Sequence, residues 1–377
     1  MTWQACTLGQ VMTLQRGHDL PERVRAAGSV PVVSSAGVTG WHNVAKAEAP
    51  GVVTGRYGTI GEVFYIEEPY WPLNTALYVV DFKGNDPRFV AYLLRNTLRN
   101  YQSEKAAVPG VDRNVLHQLP VKSASTDTQE RVVALLSAYD DLIENNRERV
   151  ALLEQAARLL YREWFVHLRF PGHEHVKVVD GLPEGWVRRS LGEIADCRLG
   201  KMLDQNKNKG ELMPYLANVN VRWGAINLDN LREMRFEDDE LDAVGLRYGD
   251  IVMCEGGEPG RCALWKEQVP RMVIQKAIHR IRAREGVSDL FLYHCLRHQG
   301  QSGQLAPLFT GATIKHLPRE KLVTAQVVIP PALLMTAFNE QVEPIEKQVA
   351  VLEAASRRAS DARDLLLPRL MSGAIAV

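Results

Sequence analysis

The most regular pattern in the chain is a spacing of apolar residues by alternating steps of four and three, and it occurs twice. The first set is Val132, Leu136, Tyr139, Ile143, Asn146, Val150, Leu153, Ala157, Leu160 and Trp164. The second set is Phe338, Val342, Ile345, Val349, Leu352, Ser356, Ala359, Arg363, Leu366 and Leu370. This spacing is typical of the contact seam of a coiled coil. It predicts two long helices, over residues 126–168 and 332–373, that bury their seams against each other.

The second seam is weaker than the first. Ser356 and Arg363 place polar groups on it. Pro344 interrupts the predicted helix or marks where it begins, and Pro368 is expected to kink or end it.

Short apolar runs, separated by Gly, Pro and Asn, fill the rest of the chain. The runs that predict strands are residues 51–54, 76–81, 250–254 and 277–281. A short helix is predicted near residues 87–101 and another near residues 288–300. The predicted fold class is therefore α+β, with two mixed α/β domains separated by two long helices.

The sequences before and after the central helix resemble each other in the same order. Trp3, Leu8, Gly9, Val11 and Gly17 are matched by Trp186, Leu191, Gly192, Ile194 and Gly200. The segment "VVTGRYGTIGEVFY" at residues 52–65 likewise resembles "IVMCEGGEPGRCALW" at residues 251–265. The pattern predicts a duplication, and hence a pseudo-two-fold internal repeat. The predicted divisions are a first domain over 1–125, a central helix over 126–168, a linker over 169–185, a second domain over 186–331 and a final helix over 332–373.

The composition is typical of a soluble globular protein, with 377 residues, 46% hydrophobic and 24% charged. No apolar run approaches the roughly 18 residues of a membrane span. The first residues lack the pattern of a signal peptide. We therefore expect a cytoplasmic protein without membrane association. The five cysteines are scattered without a Cys-x-x-Cys pair, so neither a zinc site nor a disulfide is predicted.

Total charge gives no sign of a nucleic-acid partner, because 45 basic residues balance 45 acidic ones. The distribution is uneven. Residues 261–284 carry many basic side chains with Glu267 as the only acid, whereas residues 236–258 are acidic with Arg247 as the only base. Two interpretations of the basic stretch stay open: a solvated face, or a DNA-binding surface in which Arg261 and Lys276 hold phosphates.

No catalytic residue is predicted. The glycines of "TGRYGTIG" at residues 54–61 lack the Gly-Lys-Ser/Thr ending of a P-loop, and no Gly-x-Ser-x-Gly segment is present. The amino-methyltransferase signature Asp/Asn-Pro-Pro-Tyr/Phe is also missing. The segment "HEH" at residues 173–175 has no third ligand nearby in the sequence, so no metal site is predicted.

The remaining candidates are loop residues whose side chains hydrogen-bond base edges and phosphates. In the first half these are Ser34, Ser35, Thr39, Trp41, His42, Asn43, Arg56, Tyr57, Arg113 and Asn114. In the second half they are Asn218, Asn220, Arg222, Trp223, Arg261, Lys276 and Lys315. Trp41 and Trp223 could pack on sugars or against a groove wall. Each of these residues also has an ordinary interpretation as a turn or surface residue.

Several segments resemble the DNA-specificity subunit of type I restriction–modification enzymes. The most specific are "LLEQAARLLYREWFVHLRFPG" at 152–172, "LPEGWVRRSLGEIA" at 182–195 and "LLLPRLMSG" at 365–373. In addition, "VPVVSSAGVTGWHN" at 30–43 and "GDIVMCEGGEPGRCAL" at 249–264 look like parts of its target-recognition domains.

The resemblance implies two target-recognition domains that each recognise one half of a split DNA site. Two long helices, paired as an antiparallel coiled coil, would separate them. It also implies a subunit of the restriction system that binds double-stranded DNA without catalysis or a cofactor of its own. Two methyltransferase subunits would dock on it and methylate adenine with S-adenosylmethionine. A restriction and translocation subunit that uses ATP would be a further partner.

The residues alone leave other functions open. A scaffold built on a helical hairpin, which brings protein partners together without DNA specificity, would have the same seams and the same repeat. The scaffold predicts weak, salt-insensitive DNA binding, whereas the specificity subunit predicts steep salt dependence and a sequence preference. A free-standing enzyme is a third possibility, for which the sequence offers no site.

Overall fold

A computed structural model describes residues 3–57, 61–99, 101, 110–202 and 208–377. Gly58 of the repeated segment at 52–65 lies outside the described residues. The chain divides into two compact units. Unit 1 contains Met1–Asn146 and Ala355–Val377, and unit 2 contains Arg147–Ala354. The chain therefore passes from one unit to the other within each long helix.

The elements of unit 1 are short and end in a long helix. Its strands, within the described residues, are β1 (Gln4–Thr7), β2 (Thr13–Arg16), β3 (Val30–Ser34), β4 (Gly37–His42), β5 (Gly51–Gly55), β6 (Val63–Ile66), β7 (Trp71–Pro72), β8 (Ala76–Asp81) and β9 (Pro120–Ser123). Its helices are α1 (Leu8–Val11), α2 (Pro87–Leu98), α3 (Arg113–Gln118) and the first part of α4 (Thr126–Tyr161).

Unit 2 continues α4 through a π-helical turn, Arg162–Val166. Its described strands are β10 (Val178–Val179), β11 (Leu182–Pro183), β12 (Val187–Ser190), β13 (Ala195–Leu199), β14 (Glu211–Leu216), β15 (Arg232–Phe236), β16 (Ile251–Cys254), β17 (Cys262–Leu264), β18 (Val273–Ile274), β19 (Ile278–Ala283) and β20 (Gln326–Ile329). Its helices are α5 (Leu191–Ile194), α6 (Asp238–Val244), α7 (Asp289–Gln301), α8 (Arg319–Leu322) and the first part of α9 (Ala332–Met371).

The two units have the same sheet topology. Unit 1 contains a four-stranded sheet β2-β8-β5-β6, a three-stranded sheet β4-β3-β7 and the pair β1-β9. Unit 2 contains β13-β19-β16-β17, β15-β14-β18 and the pair β12-β20 in the corresponding places. In both three-stranded sheets one pairing is antiparallel and the other is parallel. The predicted strands are β5, β8, β16 and β19, and the predicted short helices are α2 and α7. The internal repeat and the fold class are confirmed.

The repeated glycines have the same physical cause in both units. A Cβ atom on Gly17 would lie 2.2 Å from the carbonyl oxygen of Leu73, and one on Gly200 would lie 2.2 Å from that of Ile274. Two backbones approach this closely only where glycine removes the side chain. The residue after each glycine then forms a parallel bridge to the same crossing segment, Leu73 or Gln275.

The two long helices complete the core of unit 1 together. Buried residues from both helices belong to its main hydrophobic cluster: Val132, Leu136, Leu367, Leu370 and Met371. Arg131 Nη1 donates to the carbonyl oxygen of Val377 at 3.3 Å, and Arg363 Nη1 lies 2.6 Å from Asp140 Oδ1. Residue numbers rise along one helix and fall along the other, so the two segments are antiparallel.

In unit 2 the other ends of the same helices share a core. Its main cluster includes residues from both helices: Ala157, Tyr161, Met335, Phe338 and Val342. The rings of Tyr161 and Trp164 lie 6.2 and 6.0 Å from that of Phe338. The end of α4 thus lies beside the beginning of α9, as an antiparallel pair requires.

Every residue predicted on the two seams is buried or half-buried. Helix α9 is continuous from Ala332 to Met371, so the expectation that it begins at Pro344 or ends at Pro368 is wrong. Both prolines lie on the exposed side of the helix. Each removes one backbone hydrogen bond, and the buried apolar residues nearby hold the helix together. The predicted division into five segments along the sequence stays a prediction.

Candidate nucleic-acid interface

The first group of candidate residues lies on the β3–β4 hairpin of unit 1. Ser34 ends β3 and is buried, and its Oγ accepts from the Ala36 N–H and donates to the Gly37 carbonyl, at 3.1 and 3.3 Å. Ser34 therefore shapes the turn. Ser35 occupies the turn itself and is half-buried. The pairing of β3 with β4 is irregular, because its register shifts between Val32 and Val33.

Neighbouring residues of β4 point to opposite faces, as a strand requires. Trp41 is 56% exposed, whereas His42 is buried against the ring of Trp71, with centroids 5.3 Å apart. His42 Nδ1 also accepts the Ala26 N–H at 3.1 Å. His42 thus has a packing role, and Trp41 faces solvent.

Thr39 and Asn43 are exposed beside Trp41. Thr39 Oγ1 donates to the Val32 carbonyl at 3.4 Å. Sequence reasoning missed Arg25, whose Nη1 donates to the Thr39 carbonyl at 3.4 Å. The only signal for Arg25 was its charge, because no spacing links it to the hairpin.

The structure brings together two predicted segments at the end of β5. Arg56 and Tyr57 follow β5, and the guanidinium of Arg56 lies 4.6 Å from the centre of the Tyr57 ring. Tyr57 forms a bridge with Gly110, and the Val111 N–H donates to the Arg56 carbonyl at 2.9 Å. Helix α3 begins directly after this contact. Its first residues, Arg113 and Asn114, are exposed.

Three predicted loops of unit 2 converge on one cluster. Asn218 Nδ2 donates to the Gly256 carbonyl at 3.5 Å, and the Asn218 carbonyl accepts from Arg261 Nη2 at 2.9 Å. Gly256 also forms a bridge with His316, next to Lys315. The loops 217–224, 255–261 and 310–316 are therefore neighbours, although they are far apart in the sequence.

Carboxylates organise this cluster, and sequence reasoning missed them. Glu258 accepts from Trp223 Nε1 at 2.6 Å and from Arg261 Nη1 at 2.7 Å. Glu255 Oε2 lies 3.2 Å from His316 Nδ1. The spacing of three residues between Glu258 and Arg261 was a usable signal for a pair. These contacts fix the orientation of Trp223 and Arg261 before any ligand binds.

Three further candidates of this cluster differ in whether their side chains are free to contact a ligand. Asn220 is buried, with Oδ1 accepting the Ala217 N–H at 3.0 Å and Nδ2 donating to the Asn227 carbonyl at 3.1 Å. Its amide is used within the loop. Arg222 and Lys315 are exposed. Arg222 makes a local contact, at 3.3 Å, to the carbonyl oxygen of Val221.

Most of the basic stretch 261–284 is used inside unit 2. Five of its cations are bound to carboxylates, as the pairs Arg261–Glu258, Lys266–Glu346, Arg271–Glu211, Arg280–Asp196 and Arg282–Asp250. Arg280 is buried, and burial together with the nearby Arg282 lowers its pKa. Lys276 and Arg284 are exposed and have no side-chain partner among the described residues. The stretch is therefore mainly structural, with two cations left at the surface.

The described ranges offer no metal site and no membrane-spanning helix. No group of three His, Cys, Asp or Glu side chains there is placed to hold a metal ion. The same ranges contain no helix with the length and hydropathy needed to cross a membrane. The five cysteines are free thiols.

Comparison with known proteins gives one consistent family. The model of the type I restriction modification DNA specificity domain matches residues 1–155. The chain is 22% identical over 343 residues to the type I restriction enzyme MjaIX specificity subunit of Methanocaldococcus jannaschii, covering 84% of this chain and 76% of that protein. It is 21% identical over 384 residues to the HindI specificity subunit of Haemophilus influenzae, covering 80% and 81%.

A solved structure has the same fold. The type I restriction–modification S subunit from M. genitalium superposes with a TM-score of 0.59 at 14% identity, covering 98% of this chain and 96% of that one. The sequence relatives extend through both units, and the strand order repeats in each. Residues 1–155 therefore match the DNA specificity domain of type I restriction–modification systems, and the chain as a whole is similar to specificity subunits of such systems.

Proposed function

We propose that this chain recognises a bipartite DNA sequence, one half with each unit, and directs adenine methylation and restriction by partner subunits. The observation that carries the proposal is the repeated topology with different loops. Units 1 and 2 have the same strand order. The segments at matching positions differ in sequence, for example "TGRYGTIG" at 54–61 and "CEGGEPG" at 254–260. A shared frame with unlike loops suits two different half-sites.

Two units that each recognise one half-site discriminate between DNA sequences by the product of their separate preferences. The edges of base pairs in the major groove present distinct donors and acceptors. Binding of the second half-site becomes intramolecular once the first is bound, which raises the local concentration of the second. Specificity then depends on both halves of the DNA.

The exposed candidates supply the contacts in this proposal. In unit 1 they are Thr39, Trp41, Asn43, Tyr57, Arg113 and Asn114, together with the half-buried Arg56, and in unit 2 they are Arg222, Lys276 and Lys315. The loops that carry these exposed residues are shaped by the other candidates: Ser34, Ser35, His42, Asn218, Asn220, Trp223 and Arg261. Arginine and lysine bind phosphates, whereas the amides and aromatic rings contact bases and sugars.

A second stripe on α4 supports docking of partner subunits. It repeats the spacing of the seam on a different face, and all of its members are exposed: Leu135, Ala138, Leu142, Asn145, Arg149, Leu152, Ala156 and Leu159. Four leucines in water at heptad-like spacing favour an additional helical partner. In the proposal this partner is a methyltransferase, which holds S-adenosylmethionine and extrudes the adenine from the helix. ATP-dependent restriction likewise belongs to another subunit.

A loop replacement tests the two-half model. Residues 34–43 are exchanged for a hairpin of the same length and a different sequence, and methylated adenines are mapped by single-molecule sequencing in cells that also express the methyltransferase. We expect one half of the methylated motif to change and the other half to persist. As the control, substitution of the exposed turn His173–His175 should leave the motif unchanged.

Two results would contradict the proposal. Simultaneous change of both halves would mean that the units do not act separately. DNA affinity that is weak and independent of salt would instead favour the scaffold, because phosphate contacts make binding steeply salt-dependent.

A further inference from the structure

A cavity of about 280 Å³ lies in unit 2 between the end of α4 and helix α7. Its wall on the α4 side includes Gln155, Arg158 and Arg162. Its wall on the α7 side includes His294, Arg297 and His298. Gln155, Arg158 and Arg162 follow each other at steps of three and four residues, and Arg297 and His298 lie three and four residues after His294, so each set lies on one side of its helical segment. Leu159 of the docking stripe also lines the cavity, but the polar residues of the wall have no role in the function proposed above.

The charge of the cavity wall is positive and largely unneutralised. The lining residues contain no carboxylate. Arg297 Nη2 is paired with Glu154 at 2.8 Å, but Arg158 and Arg162 have no acidic partner among the described residues. Burial lowers the pKa of His298, and the positive charge of Arg162 lowers it further. The positive charge of Arg158 and Arg162 is therefore not neutralised by a carboxylate of the described residues, whereas that of Arg297 is paired with Glu154.

Two buried side chains of the wall also keep nitrogen atoms without partners. The side chains of Arg297 and His294 are 2% and 1% exposed. Arg297 Nε and His294 Nδ1 have no hydrogen-bond partner among the described residues. His294 Nε2 lies 3.6 Å from Glu346 Oε1, which is beyond hydrogen-bond distance. Buried polar atoms are normally satisfied by a protein group, a water molecule or a ligand.

We propose that this cavity binds a phosphate-class anion. Guanidinium groups match the geometry of phosphate oxygens and bind them with paired hydrogen bonds. Arg158 and Arg162 supply two such groups on one helix face, and the Gln155 amide adds a neutral donor beside them. The volume is just below the roughly 300 Å³ at which sites for larger ligands begin, so the ligand is compact. Its phosphate comes either from the DNA backbone or from a small phosphate compound.

Calorimetric titration of the full-length protein with inorganic pyrophosphate tests the site, at constant ionic strength in chloride buffer. We expect the wild type to bind with a Kd of about 1 mM or tighter. The double variant Arg158→Ala/Arg162→Ala should bind at least about tenfold more weakly, because it loses both charged donors. Arg358→Ala removes the same charge from an exposed position of α9 outside the cavity, the seams and the docking stripe, and its affinity should stay within about twofold.

The proposal is overturned if the wild type shows no binding heat beyond that of added chloride, or if the double variant binds as tightly as the wild type. Circular dichroism checks that the variants are folded. If the double variant is not folded, Arg162→Gln replaces it, since Arg162 is exposed and lies in the π-helical turn after α4. That variant should lose roughly threefold or more in affinity.

Competition with DNA identifies the source of the phosphate. The affinity of the wild type for a duplex is measured with and without saturating pyrophosphate at equal ionic strength. If pyrophosphate lowers the DNA affinity of the wild type but not that of the double variant, the site binds the DNA backbone. If the wild type binds DNA equally well with and without pyrophosphate, the ligand of the site is a small phosphate compound. Because pyrophosphate binding is measured without DNA, failure of the site is distinguishable from failure of DNA recognition.

Discussion

Among single residues, the cations between Arg261 and Arg284 separate into two groups. Arg280 and Arg282 hold carboxylates inside unit 2, at 2.5 and 2.6 Å. Lys276 is exposed at the turn between β18 and β19, without a side-chain partner among the described residues. A surface cation of this kind is available to a phosphate, whereas a buried pair is not.

Substitution of Lys276 by alanine should therefore weaken DNA binding by a similar factor for every sequence. If Lys276 contacts one phosphate, the slope of log affinity against log salt should become shallower by about one. Fluorescence anisotropy with two unrelated duplexes over a range of salt concentrations measures both quantities.

Arg271→Ala provides the matched control for Lys276. Arg271 is exposed in the same stretch, but its guanidinium is bound to Glu211 by two hydrogen bonds of 3.0 and 2.7 Å. Its removal should leave the salt slope unchanged. An unchanged salt slope in the Lys276 variant would mean that Lys276 does not contact a phosphate and is an ordinary surface residue.

A buried charged group connects helix α9 to the rest of unit 2. Lys266 Nζ lies 2.8 Å from Glu346 Oε2, and both side chains are below 10% exposed. Burial by itself would raise the pKa of Glu346, but His294 and Lys266 outweigh it and lower the pKa to about 2. The carboxylate is therefore charged at neutral pH, and it stabilises the folded state only when it is ionised.

Glu346→Gln should destabilise unit 2 by about 3 kcal/mol at pH 7, because it leaves the Lys266 charge buried without its partner. The folded pKa lies below the ordinary value of 4.5. The stabilisation is thus complete above about pH 4.5 and is lost as pH falls towards 2. Urea unfolding of both proteins over this range should show their difference shrinking with acidification.

Glu343→Gln is the control for the Glu346 prediction. Glu343 pairs with Lys347 on the same helix, but both side chains are at least half exposed. Solvent screens such a pair, so we expect little change at any pH. An equal loss of stability in both variants would mean that the amide substitution itself disturbs α9.

For single residues, the sequence identifies which side chains can hydrogen-bond DNA, but not whether they face solvent or the interior of the unit. Asn220 and His42 were predicted to contact DNA because of their side-chain types. In the structure the Asn220 amide is used within its loop, and His42 packs on Trp71. Which face a residue presents depends on contacts with distant segments, and a local sequence pattern does not contain that information.

At the scale of elements, the apolar spacing was sufficient for the long helices and the central strands. Helix α6 was not predicted, because Asp238–Val244 is rich in acids and lacks an apolar stripe. The capping box at the start of α1, formed by Thr7 and Gln10, recurs at α5 as Ser190 and Glu193. The two capping boxes lie in the repeated segments that open each half of the sequence. The four-residue helices α1 and α5 that they begin were nevertheless not predicted.

The exposed stripe of α4 leads to a prediction about assembly. Leu142→Asp places a charge on a leucine that is 47% exposed, so the folded chain should tolerate it. If the stripe docks a helical partner, the variant should lose the methyltransferase, because a charge buried in an apolar interface is costly. Co-purification with the methyltransferase, with DNA affinity as a second measurement, checks this.

Ala151→Asp is the control for the stripe. Ala151 is exposed on α4 but lies outside both the seam and the stripe. It should retain the partner. Loss of DNA binding together with the partner in Leu142→Asp would instead indicate that the helix itself is damaged.

At the scale of the whole molecule, unit 1 is assembled from the two ends of the chain. Leu367, Leu370 and Met371 lie in its core with exposures of 2, 0 and 3%. Deletion of residues 363–377 should therefore destabilise unit 1 by several kcal/mol, at roughly 2–5 kcal/mol for each large core side chain removed. Hydrogen exchange should become fast in β5 and β8 and stay slow in β16 and β19. Uniform protection of both sheets would contradict this.

The discontinuity of unit 1 also sets an order of events during synthesis. Asn146 leaves the ribosome before any of unit 2, and Ala355 emerges only after all of it. At roughly 5–20 residues per second, this interval lasts on the order of 10–40 s. During that time Val132 and Leu136, both fully buried in the finished fold, have no partner from α9. The unit that comes first in the sequence is thus completed last, and its nascent form needs protection from aggregation while the ribosome finishes the chain.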